Sequence, residues 1–181
     1  TKPLSFNRLS NILKGAGAVL GKQTVINYVG YMMDSYMLFT LQNYAAKLVE
    51  KETSPKYYFM DTGLLGLMLM DCSSAQLENL VAIELIRRYG RENVFYFEKN
   101  VEIDFYVPEE KLAIQVSLQV LDQIDTRERE IGAFVKLKNF IGDATCLLIT
   151  NSEEEELDYE GVHVSVVPVW KWLLQNRKQD I

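Results

Sequence analysis

The chain has 181 residues, of which 48% are hydrophobic, so it can bury a substantial core and hold one large or two small domains. No apolar run is long enough for a membrane-spanning helix and no signal peptide is recognisable, so we expect a soluble cytoplasmic protein without a membrane partner. The sequence begins at Thr1 rather than methionine, which suggests a fragment of a longer chain. Cys72 and Cys146 form no CxxC motif and support neither a disulfide framework nor a zinc site.

The net charge of −6 is unevenly distributed along the sequence. Residues 1–60 contain seven Lys/Arg and three Asp/Glu, whereas residues 61–181 contain twelve and twenty-two. Because phosphate neutralisation dominates affinity for nucleic acids, only the N-terminal third is suited to DNA. The single histidine, His163, lies in an alternating strand-like run and no GxSxG motif is present, which excludes Ser-His-Asp and Cys-His hydrolases.

The first third of the chain predicts two helices followed by a β-hairpin. Apolar residues recur at helical spacing over Ser5–Lys14, whose first residue is a suitable N-cap, and again over Gln23–Met33. Tyr36–Tyr44 and Lys56–Asp61 are strand-like and flank a polar loop. Helix, turn, helix and hairpin is the order of a winged helix.

From residue 71 onward the predicted order is α-β-β-β-α-β, as in the restriction-endonuclease-like core. The predicted elements are a helix over Ala75–Tyr89, strands over Asn93–Glu98, Val101–Val107 and Lys111–Leu118, a helix over Thr126–Phe140, and strands over Ala144–Thr150 and Val162–Val167. We interpret Glu153–Glu160 as a solvated acidic loop and Trp170–Leu174 as a short helix. The predicted fold class is α/β, with a winged-helix domain at 1–70 and a restriction-endonuclease-like domain at 71–181. A generic α+β domain is the alternative.

The glycine-rich segment Gly15–Thr24 has some features of a phosphate-binding loop. That motif requires Gly, four residues and then Gly-Lys-Ser/Thr, following a strand. Here Ala16 takes the first glycine position, Gln23 follows Lys22, and a predicted helix precedes the segment. We therefore expect a turn between two helices and no ATP site in this chain.

The stretch Val101–Ser117 predicts a second hairpin with polar residues on one side. Asp104 lies on its first strand, Gln115 and Ser117 lie on its second, and Pro108–Glu110 forms the turn. An Asp on one strand and Glu-x-Lys on the next is the metal-binding signature of restriction-endonuclease-like nucleases. Here the second half reads Gln-x-Ser, so the sequence predicts a degenerate nuclease-like centre.

Six motifs in order resemble the C-terminal region of a large family of prokaryotic AAA-superfamily P-loop ATPases. They are LSFNRLSNILK…QTVINYVGYMMDSYMLF, KYYFMDTGLLG, LENLVAIELIRRYG, VEIDFYV, TREREIGAFVKL and VVPVWKWLL, and the block Lys56–Leu64 is the most distinctive. In that family an ATPase domain precedes a winged helix and a domain of unknown function with a restriction-endonuclease-like fold. The resemblance implies that ATP binds only in an N-terminal domain absent from this sequence, which would be a partner of this chain. It implies no known reaction.

Carried onto this sequence, the nuclease-like constellation comprises Glu78 on the first core helix, Asp104, Gln115 and Ser117. Mg²⁺ prefers oxygen ligands and activates water for phosphodiester attack, so Asp104 and the amide oxygen of Gln115 would be its ligands. Ser117 lacks the positive charge with which a lysine would stabilise the transition state. Glu102 remains as a spare carboxylate. The simpler alternative is that Asp104 and Gln115 are polar partners at a sheet edge.

We therefore expect a non-catalytic module that binds DNA or docks a protein partner, with a metal-dependent DNA nuclease of the PD-(D/E)XK type as the alternative. Lys22, Gln23, Thr24 and Asn27, at the N-terminal end of the second helix, would face the DNA groove. Because cations there are few, a purely protein-docking winged helix is a further alternative. No cofactor is expected in this fragment, and Mg²⁺ would be needed only if the nuclease-like site is functional.

Overall fold

The computed structural model describes residues 2–46, 54–68, 73–121 and 124–175. The elements are α1 Phe6–Gly15, α2 Lys22–Asp34, β1 Leu38–Asn43, β2 Lys56–Phe59, α3 Gly63–Met68, α4 Ser73–Tyr89, a 3₁₀ turn Arg91–Asn93, β3 Phe95–Glu98, β4 Glu102–Val107, β5 Leu112–Val116, α5 Ile124–Ile141, β6 Thr145–Thr150, β7 Glu155–Tyr159, β8 Val162–Pro168 and α6 Val169–Leu174. The described helices are all too short or too polar to cross a membrane.

The two predicted N-terminal helices and the turn between them are confirmed. The Ser5 hydroxyl accepts a hydrogen bond from the backbone N–H of Arg8 at 3.3 Å, so Ser5 is the N-cap of α1. The last turn of α1 carries Lys14, where a positive charge interacts favourably with the helix dipole. Helix α2 begins directly after Gly21, so the glycine-rich segment joins two helices as expected.

Eight strands form a mixed sheet in the order β2-β1-β3-β4-β5-β6-β8-β7. The pairs β1–β3, β5–β6 and β6–β8 are parallel, and the remaining neighbours are antiparallel. Strand β1 is divided between two partners, because Leu38–Leu41 pair with β2 while Gln42 and Asn43 pair with β3. The N-terminal hairpin is thus joined to the sheet of the C-terminal region.

The prediction of a loop over Glu153–Glu160 is wrong. Residues Glu155–Tyr159 form β7, which pairs with β8 at the edge of the sheet. Acidic residues on both faces of this strand conceal its alternation, and Leu157 is its one buried residue. Charged side chains are typical of an edge strand because they oppose pairing with another chain.

Two buried clusters lie against the sheet and make the fold a layered α/β structure. One includes Leu85 of α4 and Trp172 of α6 together with Phe105 of β4, and the other includes Phe134 of α5 together with Leu148 of β6. Each fully buried side chain of this size contributes about 1.5–3 kcal/mol to stability. The α/β class is confirmed, and its division into a winged helix and a nuclease-like core stays a prediction. The proposed domain boundary between residues 70 and 71 lies outside the described residues.

Candidate functional site

The predicted second hairpin is formed by β4 and β5, and it brings Asp104 and Gln115 together. The strands are antiparallel, with Phe105 opposite Ile114. The backbone N–H of Asp104 donates to Oε1 of Gln115 at 2.9 Å, and the N–H of Val116 donates to Oδ2 of Asp104 at 3.0 Å. Each of the two polar side chains therefore bonds to the backbone of the opposite strand.

Strand β4 contains one extra residue in the stretch that holds Asp104. Phe95 and Phe97 of β3, two positions apart, pair with Tyr106 and Ile103 of β4, three positions apart. A bulge of this kind turns side chains away from the regular alternation, and bulges are frequent beside functional sites.

A buried lysine lies among the carboxylates of this region. Lys56 of β2 is 0% exposed, and its Nζ lies 3.0 Å from Oε1 of Glu102 and 3.6 Å from Oδ1 of Asp104. Among the described residues, Nζ is close to these carboxylates as an ion pair and forms no regular hydrogen bond. Burial lowers the pKa of Lys56, but Asp104, Glu78 and Glu102 together raise that pKa by more. The net effect is a raised pKa, so the ammonium stays charged at neutral pH.

The carboxylate of Glu78 reaches the same cluster from α4. Glu78 is buried, and its Oε1 accepts a hydrogen bond from the Tyr58 hydroxyl at 2.9 Å. Burial, with the nearby carboxylates, raises the pKa of Tyr58 well above its usual range, so the hydroxyl remains a donor. The Tyr58 ring lies 5.8 Å from that of Phe105 on β4. Two side chains of β2 thus point toward the carboxylates, those of Lys56 and Tyr58, which are two positions apart on the strand.

The pKa of the Asp104 carboxyl group is unusually high for an aspartate. Burial and the nearby carboxylate of Glu78 raise the pKa of Asp104 to about 7, against the lowering effect of Lys56 and of the Val116 N–H. This carboxyl therefore exchanges its proton near neutral pH, while the lysine beside it stays protonated. Strongly shifted pKa values in clefts are typical of functional sites, although buried ion networks also produce them.

An open cleft of about 400 Å³ adjoins this cluster. It is lined on one side by Glu78, Val101, Glu102, Asp104, Gln115 and Val116, and on the other by Arg129, Glu130, Ala133 and Lys136 of α5, with Lys2 at its margin. Arg129 and Glu130 pair with each other at 2.7 Å. Ser117, the remaining predicted site residue, lies just after β5, and its hydroxyl donates to the carbonyl oxygen of Gln119 at 3.1 Å.

The predicted ligands do not fit Mg²⁺ as they are arranged. Oε1 of Gln115 accepts the Asp104 N–H, while Nε2 donates to the carbonyl oxygen of Glu102 at 3.1 Å, so both ends of the amide are used by the backbone. Within the described parts of the chain, no three His, Cys, Asp or Glu side chains are grouped closely enough to hold a metal. Mg²⁺ demands near-ideal octahedral oxygen geometry, and the cation already present among these carboxylates is Lys56.

The four residues predicted to contact DNA lie together on the first turns of α2. Lys22, Gln23 and Asn27 are exposed, and Thr24 is partly buried. Nε2 of Gln23 donates to Oδ1 of Asn27 at 3.1 Å, so the two amides form one polar patch. Tyr28, the next residue along the helix, is 52% exposed.

Sequence reasoning missed three residues that organise the site, namely Lys56, Tyr58 and Asn79. Lys56 and Tyr58 lie in a motif that the sequence singled out, but neither was assigned to the centre. Asn79 of α4 accepts from the N–H of Phe59 at 2.8 Å and donates to its carbonyl oxygen at 2.9 Å, which fastens β2 to the helix. The available signals were a lysine two positions before a tyrosine in a strand, so that both point to one face, and the polar pair Glu78-Asn79 within an apolar helix.

Comparisons with known proteins find relatives without an assigned activity. Residues 1–75 match the family described as a domain of unknown function, DUF8612. The chain is 32% identical to an uncharacterized protein of Methanocaldococcus jannaschii over 181 residues, an alignment that covers 94% of this chain and 41% of that protein. The chain thus spans less than half the length of this relative. No solved structure matches the chain.

Proposed function

We propose that this chain is a non-catalytic DNA-binding module from the C-terminal region of an AAA-superfamily ATPase, and that its nuclease-like centre is degenerate. The six motifs described above support the link to the ATPases. The archaeal relative has room for a further domain, because this chain covers 41% of its length. ATP would bind in that further domain, and the present chain would supply contacts to DNA.

The exposed N-terminal end of α2 is the observation that carries the DNA-binding proposal. Lys22, Gln23 and Asn27 offer a cation and two amides at the helix end with which winged-helix and related proteins read the major groove. Residues 2–34 contain four Lys/Arg, and their one acidic residue is Asp34 at the far end of α2. The surface is therefore positive where phosphate contacts are required.

The hydrogen bonds of Gln115 support the absence of catalysis. Its amide bridges the β4 and β5 backbones, so Gln115 holds the two strands together, and its neutral oxygen, which already accepts one hydrogen bond, offers a metal no negative charge. Ser117 carries no charge and is directed to Gln119. Removal of one positioned group that stabilises the transition state costs about 10²–10³ in rate, so a centre that lacks both a metal ligand and a lysine is expected to be inactive.

Titration of labelled duplex DNA at low salt tests the proposal. We expect weak, steeply salt-dependent binding, and we expect Lys22→Glu to weaken it and to reduce the salt slope by about 1. Lys111→Glu makes the same charge change on the β4–β5 turn and is expected to leave binding nearly unchanged. Equal binding by the unmodified chain and Lys22→Glu, or binding by neither, would instead indicate a protein-docking surface.

A metal-dependent nuclease of the PD-(D/E)XK type is the second candidate, and one observation favours it. The cation that is missing at Ser117 is present nearby as Lys56, within 3.6 Å of Asp104. In this alternative, Lys56 would compensate for the lost lysine and Glu78 and Asp104 would supply carboxylates. The two candidates differ in whether a divalent metal binds at Asp104, which is directly measurable.

A further inference from the structure

We propose that Lys56 is the resident cation of the nuclease-like centre, serving in place of a divalent metal among Asp104, Glu102 and Glu78. This inference deepens the proposed non-catalytic function and rests on it. Lys56 would then have two roles. Its charge would exclude metal ions from the centre, and its contacts would attach the N-terminal hairpin to the C-terminal sheet.

The first support is the local charge. The carboxylates of Glu78, Glu102 and Asp104 lie around Lys56, but as arranged around the ammonium they are not grouped closely enough to hold a metal. Glu78 is buried and the Asp104 side chain is 17% exposed. Carboxylates crowded in a poorly solvated place repel one another unless a cation lies between them. Lys56 supplies this positive charge, because its Nζ is within 3.6 Å of both Glu102 and Asp104.

The second support is how the ammonium is held. Its stem is buried, and Nζ lies 5.2 Å from the centroid of the Tyr96 ring. Within the described residues the ammonium is held by the charges of Glu102 at 3.0 Å and Asp104 at 3.6 Å.

The third support is that some carboxylate oxygens of Asp104 and Glu78 already accept hydrogen bonds from the protein. Oδ2 of Asp104 accepts from Val116, and Oε1 of Glu78 accepts from Tyr58, which leaves Oδ1 of Asp104 and the Glu102 carboxylate facing Lys56. A second cation at these same oxygens would be repelled by the ammonium. Metal binding therefore requires the removal of the Lys56 charge.

The variant Lys56→Ala tests whether the lysine keeps divalent metals out of the centre. The unmodified chain is expected to show no change in melting temperature with Mn²⁺ or Mg²⁺ and no binding by calorimetry. Lys56→Ala is expected to melt at a lower temperature, to regain part of that loss when Mn²⁺ is added, and to show by calorimetry the Mn²⁺ binding that the unmodified chain lacks. Lys136→Ala removes another lysine of the cleft and is the matched control, for which no gain is expected.

A second measurement on the unmodified chain covers the case in which Lys56→Ala does not fold. Mn²⁺ broadens NMR signals near its binding site, and we expect the side-chain signals of Asp104 and Glu78 to stay sharp. Broadening of these signals without DNA cleavage would overturn the role of Lys56 alone. Broadening accompanied by metal-dependent cleavage would overturn the non-catalytic function as well. A folded Lys56→Ala variant that gains no Mn²⁺ affinity would also overturn the inference.

Discussion

Nζ of Lys56 lies 3.6 Å from Oδ1 of Asp104, although strands β1 and β3 separate β2 from β4 in the order of the sheet. Neighbouring strands are about 4.8 Å apart, so a flat sheet would hold β2 and β4 roughly 14 Å apart. The β1–β2 hairpin therefore curls over the face of the sheet. The ring of Tyr58 against that of Phe105 agrees with this arrangement.

Substitution of Asn79 tests the attachment of this hairpin to α4. Asn79→Ala removes both hydrogen bonds to the backbone of Phe59, and unpaired groups in a buried place cost on the order of 2 kcal/mol of stability. Urea unfolding monitored by circular dichroism measures the loss. Asn151→Ala is the matched control at an exposed position, where little change is expected. Equal losses in the two variants would contradict the role of Asn79.

The raised pKa of Asp104 predicts a definite dependence of stability on pH. Its folded-state pKa of about 7 lies above the ordinary value of 3.8, so the native state binds more protons than the unfolded state between these values. The contribution of Asp104 to stability therefore falls as pH rises through that window, and the loss is complete above about 7.

Carboxyl NMR titration of the folded chain measures this pKa directly. We expect a midpoint for Asp104 near 7, and a higher midpoint in Lys56→Met, because the lysine holds the pKa of Asp104 down. Denaturation with urea at several pH values is expected to show the corresponding loss of stability, which Asp104→Asn abolishes. A midpoint near 4 would show that the carboxyl is better solvated than its surroundings indicate.

Conversion of Gln115 to glutamate is expected to destabilise the fold. The change removes the donor to the Glu102 carbonyl oxygen and adds a negative charge close to Asp104, so the loss is about 1–3 kcal/mol. Chemical denaturation measures it, with Gln42→Glu as the same exchange at an exposed strand position. A neutral or stabilising effect of Gln115→Glu would indicate that the centre tolerates a fourth carboxylate and would favour the nuclease alternative.

Local patterns predicted the elements and part of the site. The helical spacing around α1 and α2 and the alternation along β4 and β5 are properties of neighbouring residues, so these elements and the meeting of Asp104 with Gln115 could be read from the sequence. Strand β7 could not, because its acidic residues hide the alternation. Lys56 was not assigned to the site for a different reason. It contacts Glu102 and Asp104 only because the β1–β2 hairpin curls over the sheet, and no local sequence pattern indicates that contact.

Restoring the nuclease signature on β5 tests independently whether the centre is derived from a nuclease. Gln115→Glu combined with Ser117→Lys returns the nuclease signature to β5. If the fold is restriction-endonuclease-like, these two changes made together with Lys56→Ala, which removes the resident ammonium, are expected to give tighter Mg²⁺ or Mn²⁺ binding than Lys56→Ala alone, and nicking of plasmid DNA would indicate an eroded nuclease. Absence of any gain over Lys56→Ala alone, in a variant that remains folded, would argue against the nuclease-like description of β4 and β5.

Incubation of the unmodified chain with plasmid DNA and Mg²⁺ or Mn²⁺ tests the central claim most directly. We predict intact DNA with either metal, because the amide of Gln115 is committed to the backbone and Lys56 already supplies the cation beside Asp104. Asp104→Ala is prepared in parallel to identify a contaminating nuclease, whose activity it would leave unchanged. Cleavage that requires the metal and disappears in Asp104→Ala would contradict the claim and establish the nuclease alternative.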